Sequence, residues 1–281
     1  MIIWIASYPK SGNTWIRSLL STYMYSKDGE FQFNLLKKIQ QFPSRQYFEY
    51  FINDFTDIKK ISNFWIAAQD RINLVNDKIV FLKTHSALCS LENNSFTNKS
   101  NTKGIIYVVR DPRNLVTSIS HHYSLSVEDS FEFISNKKKM IMNDEWGGKQ
   151  FGIATILGDW SEHYLSWKRT KIAPMLIIKY EDLLRDTKKT FVKIINFLNT
   201  LIDINIEEEK INKVIDSCAF DKLAKKEKNE GFFEAVNSKE NKKLNFFYLG
   251  KKNNWENLLE SKIEKKIREK FRREMDELDY I

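Results

Sequence analysis

With 281 residues, 42% hydrophobic and 29% charged, the chain has an ordinary globular balance and length enough for one large core, so one α/β domain is expected rather than two. Only two cysteines occur, Cys89 and Cys218, far apart, which excludes a disulfide framework and makes a reducing compartment the expectation. No apolar run approaches the ~20 residues of a membrane span, and no basic stretch precedes an apolar one, so a cytoplasmic protein without stable membrane insertion is expected.

The net charge of +8 is scattered over runs at Lys137–Lys139, Lys225-Lys226, Lys242-Lys243 and Lys251-Lys252. These read as solvated surface, or as a field that draws in a polyanionic cofactor. No basic stripe interleaves with aromatics, so no nucleic-acid partner is expected.

The first apolar run, Ile2–Ala6, reads as a strand. It passes through Ser7-Tyr8-Pro9-Lys10-Ser11-Gly12-Asn13-Thr14 into a helical segment, Trp15–Tyr25. Strand, tight polar loop, helix is the layout that aims backbone N–H groups and a helix N-terminus at an anion. A Walker A loop places lysine directly before the hydroxyl residue; here Asn13 precedes Thr14 and the lysine is Lys10. The loop therefore suits a phosphate-like group held without the usual β/γ-phosphate lysine or magnesium site. The aromatic-rich segment Phe31–Asn76, helical in parts, follows. It reads as a layer packed on a sheet, or as an apolar acceptor pocket.

A second strand, Ile79–Leu82, runs into Lys83-Thr84-His85-Ser86. Ligands of open parallel sheets bind beyond the carboxyl ends of strands, and histidine is the side chain suited to take a proton near neutral pH. Taken alone, His85 reads equally as a structural loop residue. A third strand, Ile105–Val109, ends at Arg110-Asp111-Pro112-Arg113, and a helix over Leu115–Tyr123 carries Ser118. Arginine and serine suit a phosphate, although Arg110 could instead pair with Asp111 or cap the helix. Helical periodicity recurs at Val127–Asn143 and Gly152–Arg169. After a strand at Met175–Ile178 it returns at Lys188–Leu198, Glu207–Asp216 and Asn257–Leu278. Strands alternating with helices predict an α/β fold, a parallel sheet covered on both faces. His163 reads as structural or surface, and His121 and His122 as a polar helix end or a pocket wall. Neither zinc-ligand spacing nor a carboxylate cluster for magnesium occurs, so no metal is expected.

Together these segments resemble the sulfotransferase family whose donor is 3′-phosphoadenosine 5′-phosphosulfate (PAPS). Tyr8–Trp15 resembles its 5′-phosphosulfate loop, Lys83-Thr84-His85 its catalytic segment, and Val109–Arg113 with Ser118 its 3′-phosphate site. Ile178–Leu183 is similar to its Tyr-Glu-Asp-Leu segment, and Phe246–Trp255 to a late Phe-x-Arg-Lys-Gly-x-x-Gly-x-Trp stretch. The resemblance spans residues 1–281 in the expected order. It implies a single α/β domain with a central parallel sheet, related to nucleotide kinases, and bacterial-type relatives.

By that resemblance, Lys10 assists the leaving 3′,5′-diphosphoadenosine, and the backbone N–H groups of Ser11, Gly12, Asn13 and Thr14, with the Thr14 hydroxyl, cradle the 5′-phosphate. Trp15, Tyr180 and Phe220 surround adenine. Arg110 and Ser118 grip the 3′-phosphate, with Phe247, Gly250 and Lys251 in the late loop. Lys83 helps the sulfuryl oxygens, and His85 deprotonates the acceptor, a hydroxyl or amine of a small molecule, sugar or lipid.

The sequence departs from the family pattern at several points. Tyr248-Leu249-Gly250 stands where the late loop has Arg-Lys-Gly, leaving Lys251, Lys252 and Arg113 as candidate replacements for the arginine. Asn253 replaces a glycine and still tolerates a left-handed backbone. Asn13 replaces a threonine, with an amide that still donates. Ser86-Ala87 replaces Leu-Pro. The short dimerisation pattern of animal members is missing, which leaves the oligomeric state open. The acceptor pocket is expected from 31–76, 137–152 and 232–245, whose aromatics favour an acceptor with apolar parts. A P-loop kinase of a small metabolite and a non-catalytic nucleotide-binding relative are the competing readings.

Overall fold

Six consecutive residues without solvent exposure, Ile2–Ser7, form the central strand β1. Such a strand is buried on both faces, which is why it reads as a continuous apolar run rather than an alternation. Ile2, Trp4 and Ala6 enter one core layer, and Ile3 and Ile5 the other. This is the computed structural model of the chain, and it describes residues 1–76, 79–141, 153–236 and 244–281.

The sheet is all parallel. It comprises β1, β2 (Gln40–Gln41), β3 (Val80–Thr84), β4 (Thr102–Val109) and β5 (Met175–Lys179), in the order β2-β3-β1-β4-β5. One face is covered by the helices Asn13–Tyr25, Thr187–Asn199 and Glu208–Ser217. The other carries Trp65–Val75, Pro112–Tyr123, Val127–Ser135, Trp160–Lys168 and Ser261–Glu277. Trp4 anchors this second layer, with Phe42 and Phe96 at ring-centroid distances of 5.7 and 5.5 Å. Truncating a tryptophan so enclosed costs on the order of 3–5 kcal/mol. Phe31, Phe42, Phe48 and Trp65 are core residues here, so the packed-layer reading of 31–76 is the one that fits them.

The four expected strands and most of the helices are present, with boundary changes. The helix expected over Val127–Asn143 stops at Ser135, because Asn136 turns to an extended backbone and its side chain accepts from the Lys138 N–H. Asn side chains of this kind compete with the helix for backbone donors. The segment expected as Gly152–Arg169 is helical only over Trp160–Lys168. Asp159 caps it by accepting from the Glu162 N–H at 2.8 Å, and Thr155–Ile156 pairs with Met140–Ile141 instead. The last helix starts at Ser261, after a short turn of helix at Trp255–Leu258. Edge strand β2 and the helices Tyr180–Arg185 and Phe220–Glu230 were not among the expected elements. The Lys242-Lys243 run and parts of the expected acceptor segments 137–152 and 232–245 lie outside the described residues.

Candidate active site

The register brings four strand ends to one level. Ala6 pairs with Thr84 on one side and Tyr107 on the other, and Val109 pairs with Lys179. The residues that leave these ends are therefore neighbours: the loop after Ser7, then His85, Arg110 and Tyr180. They open on one shared cavity. Lys10, Gly12, Asn13, Thr14, Trp15, Lys83, His85, Arg110, Ser118, Tyr180, Phe220, Phe247 and Gly250 all line it. The imidazole at 85 and the guanidinium at 110 thus share one cavity.

The first loop is built for close approach. Lys10 has φ +66°, a left-handed conformation rare for a residue with a Cβ, and Gly12 has φ +100°. A Cβ at Gly12 would stand 2.4 Å from the Tyr180 ring, so only glycine fits. The helix that starts at Asn13 has no side-chain cap; the N–H groups of Trp15 and Ile16 bond the Gly12 carbonyl at 3.1 and 3.2 Å, and those of Asn13 and Thr14 have no partner in the helix. The Lys10 ammonium lies 3.4 Å from His122 Nδ1, to which it donates, and 3.9 Å from the Phe246 ring centroid. Burial, with Arg110 adding, lowers its pKa to about 7.

His85 is oriented from behind. Its Nδ1 is 2.9 Å from the Ser7 carbonyl oxygen, which only accepts, so Nδ1 carries the proton and Nε2 the lone pair. Ser7 Oγ, 3.3 Å from the same nitrogen, accepts from the Asn13 amide. His163 is fully buried and donates from Nε2 to the His85 carbonyl at 3.0 Å, with its Nδ1 accepting from the Tyr107 hydroxyl at 2.8 Å. His163 is thus a structural support. Burial, with Lys83 nearby, lowers the His85 pKa to about 3, so the ring is neutral at physiological pH.

Arg110 donates to the Lys10 carbonyl at 2.9 Å and lies 4.3 Å above the Tyr180 ring. Asp111 pairs with Arg113 instead, Nη2 to Oδ2 at 2.7 Å, and caps the following helix. Arg110 Nε and Ser11 Oγ are buried with no hydrogen-bond partner among the described residues. The orphaned Arg110 donor, beside an uncapped helix N-terminus and the cationic side chains of Lys10 and Lys83, fits a polyanionic nucleotide.

Several expected placements are corrected. Ser11 is buried in the loop and does not line the cavity. The Asn13 amide turns inward, to the Ile5 carbonyl at 3.0 Å and Ser7 Oγ at 3.2 Å, so its donors face the strand and not an incoming phosphate. Lys251 is exposed on a short 3₁₀ turn and is not a lining residue; Lys252 is exposed there too. Arg113 is held by Asp111, Glu264 and the Tyr280 carbonyl, so it does not replace the missing arginine. Asn253 has φ −77°, not a left-handed value; Gly250, at φ +53°, takes that role. A Cβ at Gly250 would meet the Phe220 ring at 2.5 Å.

Two carboxylates escaped sequence reasoning. Glu227 accepts from the backbone N–H groups of Phe246 and Phe247 at 2.7 and 2.9 Å, fixing that wall. Glu234 reaches into the cavity, where Thr14, Arg17 and Lys83 hold it. Burial alone would raise its pKa, but Arg17 and Lys83 carry it well below the usual carboxylate range. In return Glu234 offsets part of the burial that lowers Lys83, leaving it at about 8. Neither glutamate belongs to a recognisable motif, and no sequence signal marks them. Thr117, His121, Phe246, Tyr248 and Asn253 also line the cavity, His121 stacking on Tyr248 at 3.6 Å. Among the described residues no group of three or more potential metal ligands occurs, and no helix is long and apolar enough to cross a membrane.

Fold and site define an α/β protein with a P-loop-like fold, whose first loop and a buried histidine line one cavity. The sulfotransferase domain family model matches residues 2–279, and the chain belongs to that family. It is 28% identical over 262 residues to a flavonol 3-sulfotransferase of Flaveria bidentis, covering 91% of this chain and 75% of that protein. It is 23% identical to a luciferin sulfotransferase of Photinus pyralis, covering 78% of this chain and 55% of that protein. For sulfotransferase 1A1 of Bos taurus the identity is 23%, with 79% of this chain and 65% of that protein covered. The chain thus spans less than two thirds of the length of the last two. Among solved structures, mouse sulfotransferase SULT7A1 complexed with PAP superimposes with a TM-score of 0.58 at 21% identity, over 98% of this chain and 84% of that one. Retinol dehydratase in complex with androsterone and inactive cofactor PAP gives 0.61 at 17% identity, over 98% and 80%.

Proposed function

We propose that this chain transfers a sulfuryl group from PAPS to a hydroxyl or amine of a small-molecule, sugar or lipid acceptor. The observation that carries the reading is the meeting of Lys10, Lys83, His85 and Arg110, from three separate segments, around one cavity. When bound, the donor supplies an electrophilic sulfur and a diphosphoadenosine leaving group. Sulfuryl transfer is then mostly a matter of positioning and charge stabilisation, as phosphoryl transfer is.

Each side chain has a physical task. The first N–H groups of the Asn13–Tyr25 helix and the Thr14 hydroxyl hold the 5′-phosphate. Lys10 stabilises charge developing on the leaving oxygen, and Lys83 the sulfuryl oxygens. Arg110, with its orphaned Nε, and Ser118 take the 3′-phosphate; no second guanidinium is among the described lining residues. Trp15, Tyr180, Phe220 and Phe247 provide the aromatic wall for adenine. His85 takes the acceptor proton on Nε2. Its low pKa keeps it unprotonated, and a donor anion beside it favours the protonated form once the proton arrives.

A small-metabolite kinase would need a carboxylate for magnesium beside Thr14. Glu234 is the one acid among the described lining residues, and Arg17 and Lys83 already hold it. The test is calorimetry with 3′,5′-diphosphoadenosine, followed by transfer from radiolabelled donor into a cell extract and identification of the product. Saturable binding with a labelled product is expected. Magnesium-dependent ATP consumption without diphosphoadenosine binding would turn the reading to a kinase, and binding without transfer across a broad acceptor panel to a non-catalytic relative.

A further inference from the structure

Among the described lining residues Glu234 is the one negative charge, in a cradle that also holds Thr14 and Lys83. Its side chain, 10% exposed, accepts from the Arg17 guanidinium at 2.7 Å, the Lys83 ammonium at 3.2 Å and the Thr14 hydroxyl at 3.1 Å. Thr14 and Lys83 are two of the groups assigned above to the donor's phosphosulfate end. We infer that Glu234 is an internal counter-anion that the sulfuryl-phosphate end of the donor must displace, so that this carboxylate sets how tightly the site takes an anion. The inference rests on the proposed function for the identity of the donor, but not for the competition itself.

The geometry says which partner moves. Thr14 and Arg17 sit on the Asn13–Tyr25 helix and Lys83 on β3. Arg17 is further anchored through Nη2 to the carbonyls of Leu36 and Ile39, at 3.1 and 3.0 Å. These contacts hold the guanidinium in place with or without a carboxylate beside it. Glu234 lies outside any helix or strand, beyond the end of the Phe220–Glu230 helix at Gly231. The positive groups are thus fixed and the carboxylate is carried on irregular backbone. A phosphosulfate brought to the same donors would face a like charge at contact distance, and the two cannot share the cradle at low cost. Glu234 and Lys83 are also the two side chains shared by this cavity and a second one, lined by Arg17, Gln40, Gln41 and Phe233 among others.

The test uses inorganic sulfate and 3′,5′-diphosphoadenosine as probes, at constant ionic strength set with sodium chloride. Glu234→Gln removes the charge while keeping the shape. If the carboxylate leaves the cradle open only about a tenth of the time, the variant binds both probes about tenfold more tightly in calorimetry. Unchanged or weaker binding overturns the inference and makes Glu234 a positioning residue for Lys83 and Arg17. A second measurement uses the wild-type chain and does not depend on the variant folding. Carbodiimide labelling of Glu234, read by mass spectrometry, rises when sulfate replaces chloride; sulfate binding without a rise, or no sulfate binding, overturns the inference. Displacement by sulfate with no diphosphoadenosine binding would sink the donor assignment and leave the counter-anion standing. Diphosphoadenosine binding with no tightening in Glu234→Gln and no rise in labelling would do the reverse.

Discussion

The buried ammonium of Lys10 predicts a specific pH–rate profile. Burial and the neighbouring Arg110 lower it from the usual lysine value to about 7, against the opposing pull of Glu234 and Glu227. If the protonated form stabilises the leaving oxygen, kcat/KM follows its population in the free enzyme: about nine-tenths at pH 6, about half at pH 7 and about a tenth at pH 8. Lys83, at about 8, steepens the fall at higher pH. His85, lowered to about 3 by burial, contributes no limb between pH 5.5 and 9. The assay is the initial rate of diphosphoadenosine formation with an alcohol acceptor, whose own ionisation lies outside this range. Lys10→Arg keeps its charge throughout, so the limb near pH 7 disappears in that variant whatever its absolute rate. A flat wild-type profile from pH 6 to 8, or a limb unchanged in Lys10→Arg, refutes the assignment of Lys10.

The remaining predictions address the base, the cavity wall and acid stability. His85→Gln lowers turnover by about 10²–10⁴-fold with diphosphoadenosine affinity unchanged; calorimetry beside initial rates separates the two, and full turnover in the variant removes His85 from the chemistry. Glu227→Ala strands two backbone donors, those of Phe246 and Phe247. It should cost about 1–3 kcal/mol by urea denaturation and weaken nucleotide binding; a neutral result would mean the wall holds without it. His85, His122 and His163 have folded pKa values lowered to about 3, 2 and 4, mainly by burial. The unfolded chain therefore protonates first as pH falls through about 6.5, and stability drops by up to ~1.4 kcal/mol per pH unit for each histidine until the folded pKa is reached. Equal denaturation midpoints at pH 7 and pH 5 would contradict their burial as neutral rings.

The parts of the site that were legible in the sequence are those attached to strand ends. An apolar run followed by a polar loop marks where a parallel strand stops, and the groups just past that point line the cavity: Lys10 after β1, His85 after β3, Arg110 after β4 and Tyr180 after β5. The register that brings these ends level is not written locally, so their meeting was expected only through the family resemblance. Glu227 and Glu234 were invisible for a different reason. One lies on a helix whose exposed face is rich in lysine and glutamate, the other in irregular chain, and each acquires its role from partners 19 or more residues away. The Asn13 amide was expected to donate, but the sequence does not say to what. The Ile5 carbonyl and Ser7 Oγ decide it.

The altered late loop also acquires a physical meaning. Where an arginine would tie that loop to the nucleotide, this chain ties it to its own protein. Asn253 Oδ1 accepts from the Thr117 hydroxyl at 2.5 Å, its Nδ2 donates to the Asn114 carbonyl at 2.9 Å, and the Trp255 N–H donates to Asn114 Oδ1 at 2.9 Å. Three contacts thus bind the loop to the Pro112–Tyr123 helix, the element that carries Ser118 and begins two residues after Arg110. Preorganisation of this kind lowers the ordering cost of binding without adding a contact to the ligand. A left-handed glycine at 253 would supply no side chain for it, so asparagine at that position acts as a clamp rather than as a glycine substitute. Under the proposed function, the 3′-phosphate would then be held by a fixed wall and a single buried guanidinium instead of by a second cation.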